Sequence, residues 1–150
     1  MPFRCFLMAW ISAWAVVVFL PSAMLAYAGI SPSAAAMGAG LHHLPASSWK
    51  VADDVGPAVK LMMGGILLIG FLCLIRIRHV RYPAAVLIGL VTVAATAALI
   101  PASLSRGFAS ALTGARFDWT TTPIYAIGGI CAGLTFVASF SRCRRREARR

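Results

Sequence analysis

Acidic side chains are nearly missing from this chain. Four Asp and Glu stand against fourteen Lys and Arg in 150 residues, and charged residues of all kinds reach only 12%. A soluble domain usually carries about 25%, so there is too little charge here to clothe one in water. Signatures of chemistry are absent too: there is no Ser–His–Asp set, no glycine-rich nucleotide loop and no helical H-E-x-x-H. The four cysteines contain no C-x-x-C and no metal-ligand spacing. Cys5, Cys73 and Cys131 lie in apolar runs and Cys143 lies in a basic tail, so they read as small apolar residues rather than a disulfide framework. Charge is wholly absent from residues 61–75, 82–105 and 119–141. No catalytic residue, metal site or cofactor is expected, and the chain reads as a non-enzyme.

What is present is apolar: 60% hydrophobic residues and a mean hydropathy of +0.83. The central stretch, residues 57–104, is two apolar runs around one basic knot of Arg76, Arg78 and Arg81. A spanning helix needs about 20 apolar residues, and a soluble core helix would show charge along one face. Neither run does, so this is a membrane hairpin, with helices expected over about 55–80 and 83–104. The fold class is therefore an all-α integral membrane protein.

The net charge of +10 is distributed for topology rather than for nucleic acid. Ten of the fourteen basic residues sit at three places: Arg4; Arg76, Arg78 and Arg81; and Arg142, Arg144, Arg145, Arg146, Arg149 and Arg150. The intervening segments hold Lys50, Lys60, Arg106 and Arg116, with Asp53, Asp54 and Asp118. That alternation follows the positive-inside rule. It puts the 76–81 turn and the C-terminal tail in the cytoplasm, where the arginines also meet anionic lipid headgroups.

Residues 1–28 open with Arg4, run apolar to Leu20, meet Pro21 and end in Ala26-Tyr27-Ala28 before Gly29. This matches a signal peptide cleaved after Ala28. The alternative is an uncleaved first span, for which the length and the internal Trp10 and Trp14 argue. Three transmembrane helices follow a signal peptide, or the chain has four if the first is kept. Residues 29–56 form an outside segment in which Leu41, Leu44, Trp49 and Val51 make a short interfacial helix or a loop. Asp53 and Asp54 are placed to cap the first hairpin helix. A metal role for His42 and His43 with these carboxylates needs a loop geometry that sequence does not show. Pro101 ends or bends the second hairpin helix, residues 105–118 form an outside loop, 119–141 a last span and 142–150 a cytoplasmic tail.

Helix packing is expected at small residues: Gly64, Gly65 and Gly70 in the first hairpin helix, Ala94 and Ala98 in the second, and the GxxxG pair Gly129 and Gly133 in the last span. No apolar run contains an ionisable side chain apart from its cysteines and tyrosines, which counts against an ion-coupled carrier.

The order of parts resembles the small inner-membrane subunits of bacterial type IV secretion and conjugation systems, pilin-like or of the Dot/Icm type. The matching pieces are AYA-G at 26–29, MMGGILLIGFLCLI at 62–75, RIRHVRYP at 76–83 and ALIPASLSRGFASALTG at 98–114. The added span 119–141 and its arginine tail depart from a two-helix pilin plan. The resemblance implies a multi-pass protein of the bacterial inner membrane that works within a multi-protein assembly. Its partners would be lipid and other membrane subunits or further copies of itself, with no nucleic acid and no small-molecule substrate. A small oligomeric transporter or channel, and a holin-like protein, are the alternative readings.

Overall fold

The computed structural model describes residues 3–28, 43–76, 82–99 and 121–148. Among these residues there are helices and no strand: α1 (Phe3–Tyr27), α2 (Leu44–Asp54), α3 (Pro57–Arg76), α4 (Tyr82–Leu99) and α5 (Thr122–Glu147). All but α2 are long and apolar enough to cross a membrane. At 1.5 Å per residue, their 18 to 26 residues cover roughly 27–39 Å, against a hydrocarbon core of about 30 Å.

The four long helices form an up-down-up-down bundle, and each pair of neighbours runs antiparallel. Cys5 of α1 meets Cys143 of α5, while Pro21 lies against Gly128. Trp10 and Trp14 of α1 reach Gly64 and Lys60 of α3. Gly70 of α3 faces Ile88 of α4, and Ala85 and Gly89 of α4 face Gly133 and Gly129 of α5. The closing contact of this ring, α1 against α5, is also its most extensive. Of the connections between the long helices, only that from Arg76 to Tyr82 is short, and it makes α3 and α4 antiparallel neighbours.

Pro21, expected to break the first run, lies inside α1, which continues to Tyr27. Proline removes one N–H and adds a bulky ring, and the ring is accommodated here. The ring sits where a Cβ on Gly128 would stand, so the glycine on α5 supplies its space. Beside it the Ser22 hydroxyl donates 2.7 Å to the Val18 carbonyl, which satisfies a buried hydroxyl within its own helix. Thr92 and Thr96 of α4 do the same, donating to Ile88 at 2.8 Å and Thr92 at 2.6 Å.

The core is aromatic towards the end that carries Cys5 and Cys143. Phe136 of α5 stacks on Phe71 of α3 at 3.8 Å between centroids and meets Phe6 of α1 edge-on at 5.9 Å. Phe140 continues the stack at 5.8 Å. Phe136 is fully buried and joins three helices. Phe136→Ala is expected to lower stability by about 3–5 kcal/mol, read as a lower midpoint of unfolding in a mild detergent.

On the opposite end α2 packs on α1 through Phe19 and Trp49, whose rings stack at 5.5 Å. The chain turns from α2 into α3 at Gly56, whose φ of 81° suits glycine and whose N–H donates to the Asp53 carbonyl at 2.9 Å. Asp53 therefore closes α2 instead of capping α3, and its carboxylate stands 3.5 Å from the Lys60 ammonium. With Asp53 79% exposed, this pair adds less than about 1 kcal/mol.

Two further expectations change. The last helix does not stop at 141: α5 runs on through the arginines to Glu147. Arginine is a good helix former and its charge suits the negative end of the helix dipole. Cys5 and Cys143, expected to be unpaired small residues, form a disulfide with Cα atoms 5.5 Å apart across 138 positions of sequence. The antiparallel α1–α5 contact brings these remote positions together.

Candidate functional site

The small residues separate into those that hold this bundle and those that face away from it. Gly129 and Gly133 pack inside the chain. A Cβ on Gly129 would stand 2.6 Å from the Gly89 carbonyl oxygen, one on Gly133 would overlap the Ala85 carbonyl, and one on Gly89 would overlap the Gly129 carbonyl. The backbones of α4 and α5 thus touch, which only small residues permit. A Cβ on Gly64 would stand 3.1 Å from the Trp14 indole, and Gly70 receives the Ile88 side chain. Gly65 has nothing within 4 Å of where its Cβ would be, and Ala94 and Ala98 are exposed. These three take no part in packing between the described helices. The α4 face that does is Ala85, Gly89, Thr92, Val93 and Thr96, every one buried. The Ala85-xxx-Gly89 spacing was the signal for it, overshadowed by the alanine-rich stretch that follows.

One end of the bundle gathers the basic residues. Arg4 lies in the first turn of α1, Arg76 ends α3, and Arg142, Arg144, Arg145 and Arg146 lie in the last turns of α5. All six are exposed. The Arg144 guanidinium stands over the Phe140 ring at 6.0 Å, a cation–π contact that carries the aromatic stack out to the charged surface. Arg78 and Arg81 lie outside the described residues. The disulfide sits within this basic end: Arg4 precedes Cys5, and Arg142 and Arg144 flank Cys143. Its sulfurs and a Glu147 carboxylate oxygen lie within 4.8 Å of one another. Sulfurs bonded to each other are not thiolate ligands, and five neighbouring arginines disfavour a cation, so this group does not make a metal centre as it stands. His43 is exposed at the start of α2; its sequence neighbour His42 lies outside the described residues.

At the opposite end an open apolar cavity of about 370 Å³ lies between α1, α2 and α5, lined by Ala23, Met24, Tyr27, Ala28, Leu44 and Ile124. It offers no charged side chain to orient a ligand. Across an 18-residue apolar window of each span, 28% to 44% of the residues are buried within the chain, so most residues of each span keep some surface open to the surroundings. On α4 that outward surface includes Leu87, Val91, Ala94 and Ala98, exposed at i, i+4, i+7 and i+11 and therefore in one stripe. Comparison of the chain with protein-family models, with curated proteins and with solved structures gives no match.

Proposed function

We propose that this protein is a non-catalytic, four-span component of a membrane assembly. In this reading α1 is kept in the mature protein, and both chain ends and the 76–81 turn face the cytoplasm of a bacterial cell. The observation that carries it is the packing of α1, whose Cys5, Ala9, Ala13 and Val17 have no exposed surface. Trp10 and Trp14, unusual within a leader, donate their indole N–H groups to the Gly64 and Lys60 carbonyls of α3 at 3.0 and 2.8 Å. Antiparallel order puts Arg4, Arg76 and the arginines of α5 at one end, and the positive-inside rule makes that end cytoplasmic.

With Gly129 and Gly133 engaged inside the chain, contact with other subunits falls to the outward stripe of α4. There Ala94 and Ala98 let a partner helix approach closely. The segments 62–83 and 98–114 resemble those of the small inner-membrane subunits of type IV secretion and conjugation systems, which makes that class the proposed machine, while a retained α1 departs from the leader-like match at 26–29. A photo-crosslinking residue placed in cells at Ala94 or Ala98, and at Leu134 for comparison, tests the assembly role. A discrete heavier protein adduct from the α4 positions supports it, and lipid adducts alone at every position would remove it.

A further inference from the structure

We infer that Cys5 and Cys143 are a reversible thiol–disulfide couple on the cytoplasmic face. Oxidised, they tie the start of α1 to the arginine-bearing end of α5; reduced by a cytoplasmic dithiol, they leave that end free to open. The inference rests on the orientation and the retained α1 proposed above.

Three points support it. The cytoplasm keeps thiols reduced, so a disulfide there is transient, catalytic or redox-sensing rather than a permanent staple. Proximity does not depend on the bond, because Phe6, Ala9 and Ala13 of α1 and Phe136, Val137 and Phe140 of α5 remain buried around it. The two helices therefore stay packed next to the pair after reduction, and the sulfurs can return to each other and pair again. Finally, access differs. Cys5 has no exposed surface, whereas Cys143 is partly exposed.

That difference sets the order of events. A thiolate of the incoming dithiol attacks Sγ of Cys143, forming a mixed disulfide while Cys5 leaves as the thiolate. The second thiol of the reductant then attacks its own sulfur in the mixed disulfide, and Cys143 leaves. The dithiol loses two electrons and two protons and becomes a disulfide, and Cys5 and Cys143 gain them as two thiols. Reoxidation runs the same exchange backwards with a small-molecule disulfide. The segment carries Arg142, Arg144, Arg145 and Arg146, all exposed with the bond in place, so the redox state decides whether these four charges are held at the end of the bundle or move with a loosened helix end. Cys73 and Cys131 are unpaired and lie elsewhere on α3 and α5.

The test uses the full chain in its own bacterial membrane. Thiols are trapped with a polyethylene-glycol maleimide before and after a pulse of diamide. With four cysteines in the chain, growing cells are expected to show four reactive thiols. The pulse should convert these to two, and washing should restore four; Cys5→Ser and Cys143→Ser should show three throughout. In inverted vesicles, trypsin is expected to cut the arginine-bearing end at least roughly fivefold faster in the reduced form, as local opening requires. A pair that stays oxidised in growing cells overturns the inference. So does a pair that resists maleimide until a chelator removes one zinc per chain, which would make Cys5, Cys143 and Glu147 a metal site. An impermeant maleimide reaching Cys143 from outside intact spheroplasts would instead overturn the orientation, and a mature chain lacking residue 5 would overturn the retained α1; the inference falls with either.

Discussion

Leucine at Gly129 is expected to prevent the bundle from forming, whereas leucine at Gly65 on α3 is expected to change little. At the α4–α5 crossing the obstacle to a side chain is backbone. Gly129 faces the Gly89 carbonyl, and Gly89 in turn faces the Gly129 carbonyl. A flexible neighbour can rotate aside, but a main-chain carbonyl moves only if its whole helix moves. Overpacking a core with movable side chains costs about 1–3 kcal/mol, so at this crossing about 3 kcal/mol is the lower bound. Gly129→Leu and Gly89→Leu should each strip most folded protein from the membrane, measured as protease-resistant chain and as the unfolding midpoint in detergent. Gly65→Leu should stay within about 0.5 kcal/mol of the parent. Gly64→Leu should fall between them, since its obstacle is the Trp14 side chain. Equal stability of Gly129→Leu and the parent would show that α4 and α5 do not cross in contact.

The second large effect concerns α1. The mature protein is expected to have the mass of the full chain, and a gene lacking residues 1–28 is expected to yield no folded bundle. Deleting α1 removes the most extensive interface and the aromatic support that Phe6 gives Phe136. It also removes the helix on which α2 rests through Phe19 and Trp49. The remaining three spans would present the α5 face of Tyr125, Gly128, Ala132 and Phe136 to lipid or to each other. Intact mass spectrometry of protein released from its membrane decides the matter. A chain lighter by residues 1–28 would return the first helix to the role of a leader.

The spans and their basic turns were legible in sequence because burial in lipid acts on every residue of a segment separately. Long uncharged runs, arginines at their ends and the resulting order of crossings need no knowledge of neighbours. Pro21 was misread for the same reason. In isolation it breaks a helix, and only Gly128 on another helix removes the obstacle. The α4 packing face was legible in part: Ala85 and Gly89 carry the same small-residue spacing as Ala94 and Ala98, and periodicity alone does not say which pair turns inward.

By itself, then, the sequence determined a membrane-embedded helical protein, the approximate limits of its spans and the end at which its arginines gather. Hydropathy and charge are sums over local residues, and they decide those matters. Tertiary structure alone decided that α1 is wrapped into the bundle, that Gly129 and Gly133 are engaged within the chain, and that Cys5 lies beside Cys143. Each of these depends on which helix faces which and in what register. In lipid that choice rests on close packing between small and aromatic side chains rather than on hydropathy, because the surrounding medium is as apolar as the core.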